Sequence, residues 1–238
     1  MNVKLKAAIV SIFLLINNDA NSFNIDKMVI ISDDKGNGVV TIHNNEGAPL
    51  FIDASINEIE ILNGTEVLRK PYNRDNIGDW KISLTNSKMV LRPGESKSVG
   101  VRSLCHNTSC DRSKDLIFMI PFIPSPYNSE EKDGSGVIIN YGYSPLFIIP
   151  TDNPQYDYLI ENKGEELVVY NRGNTLINVF LNACSTINSK NCQQRYTVVA
   201  GREKKYQLSQ NLQSDNLSIT VTSFDRSYKK EMILTKGS

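Results

Sequence analysis

Four cysteines, two histidines and the adjacent acids Asp33/Asp34 and Glu130/Glu131 are the residues of this 238-residue chain whose types and spacing could do chemistry. The cysteines fall into two close pairs, Cys105/Cys110 and Cys184/Cys192. Close pairs of this kind hold either a local disulfide or a metal. The positions of His43 and His106 fit no zinc spacing, so metal is set aside. A Ser-His-Asp device has little to draw on. One histidine sits in a strand-like run and the other between two cysteines, and no GxSxG, HExxH or phosphate-loop pattern occurs. Asp33/Asp34 and Glu130/Glu131 lie in turn-like segments, where paired acids are solvated. The expectation is a protein with no catalytic residue, no metal and no cofactor.

The compartment decides how the cysteines are read. Lys4 and Lys6 precede an apolar run from Ala7 to Ile16, and Ala20-Asn21-Ser22 follows. This is a basic region, a short apolar region and a small-x-small cleavage site, so cleavage is expected after Ser22. Residues 1–22 are then a signal peptide, and the chain is exported through the inner membrane. In an exported protein, Cys105–Cys110 and Cys184–Cys192 read as two local disulfides. Closing loops this short contributes roughly 2–3 kcal/mol each on a chain-entropy estimate. No later segment is long enough to anchor the chain in a membrane. Lys plus Arg, 26, equals Asp plus Glu, 26, and the pI is near 6.7. Neither a nucleic acid nor an anionic membrane is implied as partner.

The elements that would position any site are strands. Met28–Ser32, Gly38–Asn44 and Leu50–Ile61 are β-rich and separated by Asp-, Asn- and Gly-rich turns. Lys88–Leu91 and Ser96–Leu104 flank Arg92-Pro93-Gly94-Glu95, a tight turn with adjacent Pro and Gly. Leu116–Ile123 is a further apolar strand, which Pro124 and Pro126 are expected to stop. A polar linker, Thr151-Asp152-Asn153-Pro154, then breaks the pattern. Seven strands are expected after it: Tyr156–Glu161, Glu165–Asn171, Leu176–Cys184, Arg195–Val199, Lys204–Leu208, Leu217–Ser223 and Glu231–Thr235. The fold expected is all-β, two immunoglobulin-like β-sandwich domains in tandem at an angle, over residues 23–150 and 151–238.

One stretch stands apart. Val137–Pro150, VIINYGYSPLFIIP, is uncharged and almost wholly apolar or aromatic. It is too short to span a bilayer, and its β-branched and aromatic content favours a strand. Either it crosses the middle of a sheet, or one of its faces is kept for another protein.

The run from Ser87 to Val99, with Trp80-Lys81-Ile82-Ser83 before it, resembles the periplasmic pilus chaperones of the chaperone–usher pathway. Phe118–Pro124, FMIPFIP, is similar to that family's strand ending in a Pro-containing turn, and Val137–Pro150 occupies the place of its donor strand. Tyr170-Asn171-Arg172-Gly173-Asn174-Thr175, followed by Cys184 and Cys192, resembles the second domain of the alternate branch, which serves colonisation-factor or common-pilus fibres. The resemblance covers the whole mature chain. It implies a periplasmic protein that lends a β-strand to the open groove of a pilin subunit and delivers the subunit to an outer-membrane usher. Val137, Ile139, Tyr141 and Tyr143 share the face expected to fill the groove; Ile138, Asn140 and Gly142 share the other. The family holds the subunit's terminal carboxylate with a basic pair. The position on the first strand matches Lys27. The position on the donor strand falls at Ser144 or Pro145, where this chain has no basic residue. A self-capping dimer would hide the donor edge of the free protein. Two other classes compete with this reading. A secreted adhesin or binding module with two such domains would bind through loops. A fibre subunit would carry a donor extension near Phe23–Ile31, a segment here interrupted by Asp26 and Lys27.

Overall fold

The computed structural model describes residues 23–105, 110–127, 141–184 and 190–237. The signal segment, Val137, Ile139 and the acids Glu130 and Glu131 lie outside the described residues. Strands in the first half are β1 (Phe23–Ile25), β2 (Val29–Ile31), β3 (Gly38–Asn44), β4 (Leu50–Ala54), β5 (Asn57–Leu62), β6 (Glu66–Pro71), β7 (Ile82–Leu84), β8 (Lys88–Leu91), β9 (Ser96–Ser103), β10 (Leu116–Met119), β11 (Phe122–Pro126) and β12 (Leu146–Ile149). The second half has β13 (Tyr158–Asn162), β14 (Glu166–Asn171), β15 (Ile177–Asn182), β16 (Gln193–Val198), β17 (Glu203–Gln207), β18 (Asn216–Thr222) and β19 (Lys229–Thr235). The chain is all-β and folds as two immunoglobulin-like sandwiches in tandem. Its described helical turns are short 3-10 pieces, Arg74–Asp79 and Gln210–Leu212. No helix among the described residues is long and apolar enough to cross a membrane.

In the first sandwich one layer is β1-β3-β9-β7. Facing it are β2-β12-β10-β5-β6 and β11-β4-β8. The last two sheets share one register. Met119 pairs with Asn57, Phe122 with Ala54, and only the steps between are lost. Leu50–Ile61 and Leu116–Ile123, expected as single strands, are therefore each broken at the same level. Pro121 is the reason: it has no N–H to give the ladder. Alternation does the rest. In β3, Val40, Ile42 and Asn44 point inward and are buried, while Thr41 and His43 point outward. The core gathers Phe118, Phe122, Phe147, Ile42, Ile52 and Ile82, all fully buried, with the Phe118 and Phe147 rings 6.3 Å apart. Each such side chain contributes roughly 1.5–3 kcal/mol on burial. The turn after β8 has Gly94 at φ 74°, and Glu95 N–H donates to the Arg92 carbonyl at 3.0 Å. This is the Pro-Gly turn that the sequence spells.

Strand β6 was not expected. Its six residues are all exposed, and an edge strand with no buried face carries no apolar alternation to read. Pro124 and Pro126 were expected to end a strand but lie inside β11, opposite Ile52 and Leu50. Three bonds explain why this is tolerated. Phe122 exchanges bonds with Tyr143, whereas Tyr127 N–H donates to Pro49 on the opposite side. By alternation Pro124 and Pro126 face away from β4, so no ladder bond to β4 is lost.

The second sandwich packs β13-β14-β17 on β16-β15-β18-β19. Its core holds Leu167, Val169, Ile177, Val179, Leu181, Leu217, Ile219 and Val221. Both disulfides are present, Cys105–Cys110 and Cys184–Cys192. A smaller apolar patch joins the halves: Ile117 and Ile148 on the outer face of the first sandwich meet Leu176 of the second.

Candidate functional site

The interruption at Asp26-Lys27 separates two strands that belong to opposite layers. β1 pairs with β3, and β2 then pairs in parallel with β12. Asp26 fixes the crossing: its N–H donates to the Thr41 carbonyl at 3.0 Å, and its carboxylate accepts from Thr41 N–H at 2.9 Å. Beyond the crossing, Leu146 pairs with Val29 and Leu146 N–H donates to the Met28 carbonyl at 2.9 Å. Ser144 and Lys27 each lie two residues before the first pair of this register, next to the crossing. Both are exposed. Among the described residues neither side chain has a recorded hydrogen bond or ion pair. An unpaired ammonium beside a hydroxyl at a sheet edge can hold a carboxylate, although without the bidentate fork of an arginine.

The stretch Tyr143–Ile149 keeps one antiparallel register along β10 and β11. Met119 pairs with Leu146, Ile120 N–H donates to the Pro145 carbonyl at 2.9 Å, and Phe122 and Tyr143 exchange bonds of 2.7 and 3.1 Å. The formal strand is only Leu146–Ile149, with Tyr143 as an isolated bridge, because Pro145 cannot donate. Of the four residues expected on the donor face, Tyr143 is half-buried at the rim of the first core, its ring 5.8 Å from that of Phe23. Tyr141 is 75% exposed. Gly142 lies where a Cβ would come within 2.7 Å of the Phe122 carbonyl, so the backbone approaches closely there. Tyr141 is thus held against β11 while its ring is free. The next position on β11 in this register is Pro124, which has a carbonyl to offer and no N–H.

Large apolar side chains stay in water on both sides of this segment. Met28 and Val29 flank it on β2's side, Ile123 on β11's side, and Ile123 is 57% exposed. Arg102, another basic residue of the first sandwich, is on β9 in the opposite layer, across from Ser83. Among the remaining chemistry candidates, Asp33 and His43 have structural partners. Asp33 accepts from the Lys35 and Asn37 N–H groups within its turn. His43 Nδ1 lies 2.7 Å from the Ser96 hydroxyl on the surface. No three His, Cys, Asp or Glu side chains gather as a metal site among the described residues.

The sequence reading missed Asp115. It precedes β10, is 3% exposed, and accepts from Thr151 N–H, Leu176 N–H and the Thr175 hydroxyl. Burial raises its carboxyl above the usual carboxylate value, and these three bonds pull it back. An acid set directly against an apolar strand was the one available signal.

Residues 25–150 match the family model described as CS5 fimbrial protein N-terminal domain. Over 204 residues, 84% of this chain and 87% of the relative, the sequence is 22% identical to an uncharacterized 25.9 kDa protein in the CS5 3′ region of Escherichia coli. The fold is similar to that of the class 5 fimbriae chaperone CfaA, at 15% identity and TM-score 0.53 over 91% of this chain and 100% of that one. It is also similar to a chain of the Salmonella enterica SafA pilin–SafB chaperone complex, at 10% identity and TM-score 0.55 over 90% and 97% of the two chains.

Proposed function

The chain belongs to the family of the CS5 fimbrial protein N-terminal domain, and from that premise we propose that it is a periplasmic chaperone that captures fimbrial subunits by lending them a β-strand. The observation that carries the reading is the edge just described. A chain segment with exposed apolar neighbours, Met28, Val29 and Ile123, runs along the β11 edge, and an exposed lysine and an exposed serine precede the strands that begin there. A subunit missing a strand presents an open apolar groove and unpaired backbone on both walls. Pairing with an extended segment satisfies that backbone, and alternate side chains fill the groove. The donor side chains are Val137, Ile139, Tyr141 and Tyr143. Lys27 with Ser144 receives the carboxylate that ends the subunit's last strand. That contact sets register, since a slip of one residue would turn every donor side chain to the wrong face. The work done on the subunit is binding and release. The subunit then passes to an outer-membrane usher. Residues 1–22 are a signal peptide removed on export, and the sandwiches divide at Pro150. In the free protein a dimer can cap the edge.

The test is co-expression with a fimbrial subunit. The proposal expects a one-to-one complex that protects the subunit from proteolysis. Ile139→Asp should abolish it without unfolding the chaperone, because an unpaired carboxylate cannot enter an apolar groove. Undiminished protection by Ile139→Asp would remove that face from the site.

A further inference from the structure

The outer face of the second sandwich carries a recess whose donors subunit capture does not use. On β15, Asn178 and Phe180 alternate with buried Ile177, Val179 and Leu181, so both point away from the core. Phe180 pairs with Arg195 on β16 and with Thr220 on β18. Asn178 pairs with Thr222 on β18, and Thr222 pairs in turn with Lys229 on β19. A half-buried ring therefore sits between an arginine and a hydroxyl. The turn at residues 223–228, which joins β18 to β19, adds Phe224 and Arg226. These side chains line a recess of about 360 Å³. Its floor strands, β15 and β18, are paired on both sides. Their backbone is used by the ladder and cannot take an extra strand, so recognition here is by side chains alone.

Arg195 and Arg226 are exposed, and neither guanidinium has a recorded hydrogen bond or ion pair among the described residues. The nearby acids are used otherwise. Glu231 pairs with Lys229 at 2.6 Å. The Asp225 carboxylate accepts from the Ser223 hydroxyl at 2.6 Å, and from the N–H and hydroxyl of Ser227 at 3.1 and 2.8 Å. Two guanidiniums are therefore left unmatched, and each suits a carboxylate or phosphate bidentately. The Thr220 and Thr222 hydroxyls have no recorded partner either. Asn178 Oδ1 accepts from the Thr197 hydroxyl at 2.7 Å, which leaves its NH2 group to donate.

The recess is preformed. Ser223 N–H donates to the Tyr228 carbonyl at 3.0 Å, and Tyr228 N–H donates to the Ser223 hydroxyl at 2.9 Å, which closes the turn. Arg226 stands at φ 64°, in the left-handed region that glycine and asparagine favour. Such backbone outliers cluster at ligand sites. The lining combines two aromatic rings, Phe180 and Phe224, with hydroxyl and amide donors and unmatched positive charge. A purely apolar ligand would strand the donors, and a bare anion would leave both rings in water. A hydroxylated ring with an anionic substituent meets all three demands. Its C–H face lies on an aromatic ring, its hydroxyls reach the Thr and Asn groups, and its charge meets a guanidinium.

We propose that the second sandwich carries a binding site for an acidic sugar, a saccharide ring bearing a carboxylate or phosphate, held by Arg195 and Arg226 against Phe180 and Phe224. The site does not rest on the chaperone reading. The experiment is an NMR titration of the whole chain with glucuronate and with glucose phosphate, against glucose, inorganic phosphate and a triglutamate peptide. The two acidic sugars should shift the Phe180, Thr220 and Phe224 amides saturably, and should bind about tenfold more tightly than glucose or inorganic phosphate. The tighter of the two names the anionic group. Arg195→Gln and Arg226→Asn each remove a guanidinium, and asparagine keeps the left-handed turn. Each should weaken the acidic sugars about tenfold, the loss of one charge-assisted contact. Phe224→Ser should weaken the acidic sugars and leave inorganic phosphate unchanged. Inorganic phosphate binding as tightly as the acidic sugars would reduce the recess to an anion patch and overturn the proposal. Tighter binding of triglutamate would make it a docking site for an acidic protein segment and overturn it as well. So would the absence of a saturable shift with either acidic sugar.

Discussion

The two sandwiches treat their apolar surface differently. In the second, the large apolar side chains left in water are scattered: Leu159 on β13, Phe224 after β18 and Ile233 on β19. In the first, Val39, Val67, Leu68 and Ile77 are scattered in the same way, but Met28, Val29, Ile123 and Tyr141 are exposed around one segment, the run that leads into β12. In the second sandwich β15, which ends two residues before Cys184, is paired on both sides. In the first, the segment Tyr141–Tyr143 runs along a β11 edge that offers proline carbonyls. On the chaperone reading, the difference teaches where a protein built from two similar units puts its partner. One unit is scaffold. The other carries, among the described residues, the one cluster of exposed apolar side chains beside a chain segment along β11.

Core substitutions should break the comparison most severely. Phe147→Ala removes a fully buried ring beside Phe118 and should destabilise the first sandwich by roughly 3–5 kcal/mol. Leu167→Ala should cost the second roughly 2–5 kcal/mol. Chemical denaturation followed by Trp80, in the first half, should detect the first loss and pass over the second unless the sandwiches unfold together. Next in size is Lys27→Ala. Removing one partner of a charged interface contact costs roughly 2–5 kcal/mol, about a 30- to 4,000-fold loss of subunit affinity. The exposed Lys27 supports no fold contact, so the melting temperature should stay where it is. Lys27→Arg should keep most affinity. Normal fibre yield from Lys27→Ala would take this residue out of the site.

Two smaller changes sharpen the comparison. Pro124→Ala restores an N–H on the β11 edge facing Tyr141. One neutral hydrogen bond is worth about 1 kcal/mol, so the segment should be held more tightly by its own sheet and capture should weaken about fivefold. Hydrogen exchange at the amide that this substitution introduces should show protection in the free protein. Smallest is Asp225 in the second sandwich. The Ser223 hydroxyl, then Ser227, holds its carboxyl below the usual carboxylate value. A lowered folded value means that the stabilisation is present above the ordinary carboxylate range and is lost as pH falls through the folded value. Asp225→Asn should therefore flatten the acid side of the melting curve slightly, with no change in capture.

The strands with an inward apolar row were readable in the sequence. Gly38–Asn44 and Lys88–Leu91 fall where alternation and the Pro-Gly turn place them. β6 was not readable, because every one of its side chains faces water and only its neighbour β5 makes it a strand. Pro124 and Pro126 misled for a related reason. A proline ends a strand only when its missing N–H points at a partner, and which way it points is a property of the sheet. Lys27 and Ser144 were singled out by resemblance to a family pattern, and their neighbouring positions depend on a parallel pairing between segments more than a hundred residues apart. Asp115 was overlooked because its partners come from a linker and a distant loop. An acid set against an apolar strand is a signal, but it does not say that the donors are other residues' backbone.

The central claim is that the first sandwich lends its incomplete edge to a fimbrial subunit. Hydrogen exchange on the chaperone, free and in a one-to-one subunit complex, tests it most directly. The account predicts new protection at Met28–Val29 and along Tyr141–Leu146, with the surface loops of the second sandwich unchanged. Protection confined to loops such as Ser223–Tyr228, with the edge still exchanging freely, would contradict it.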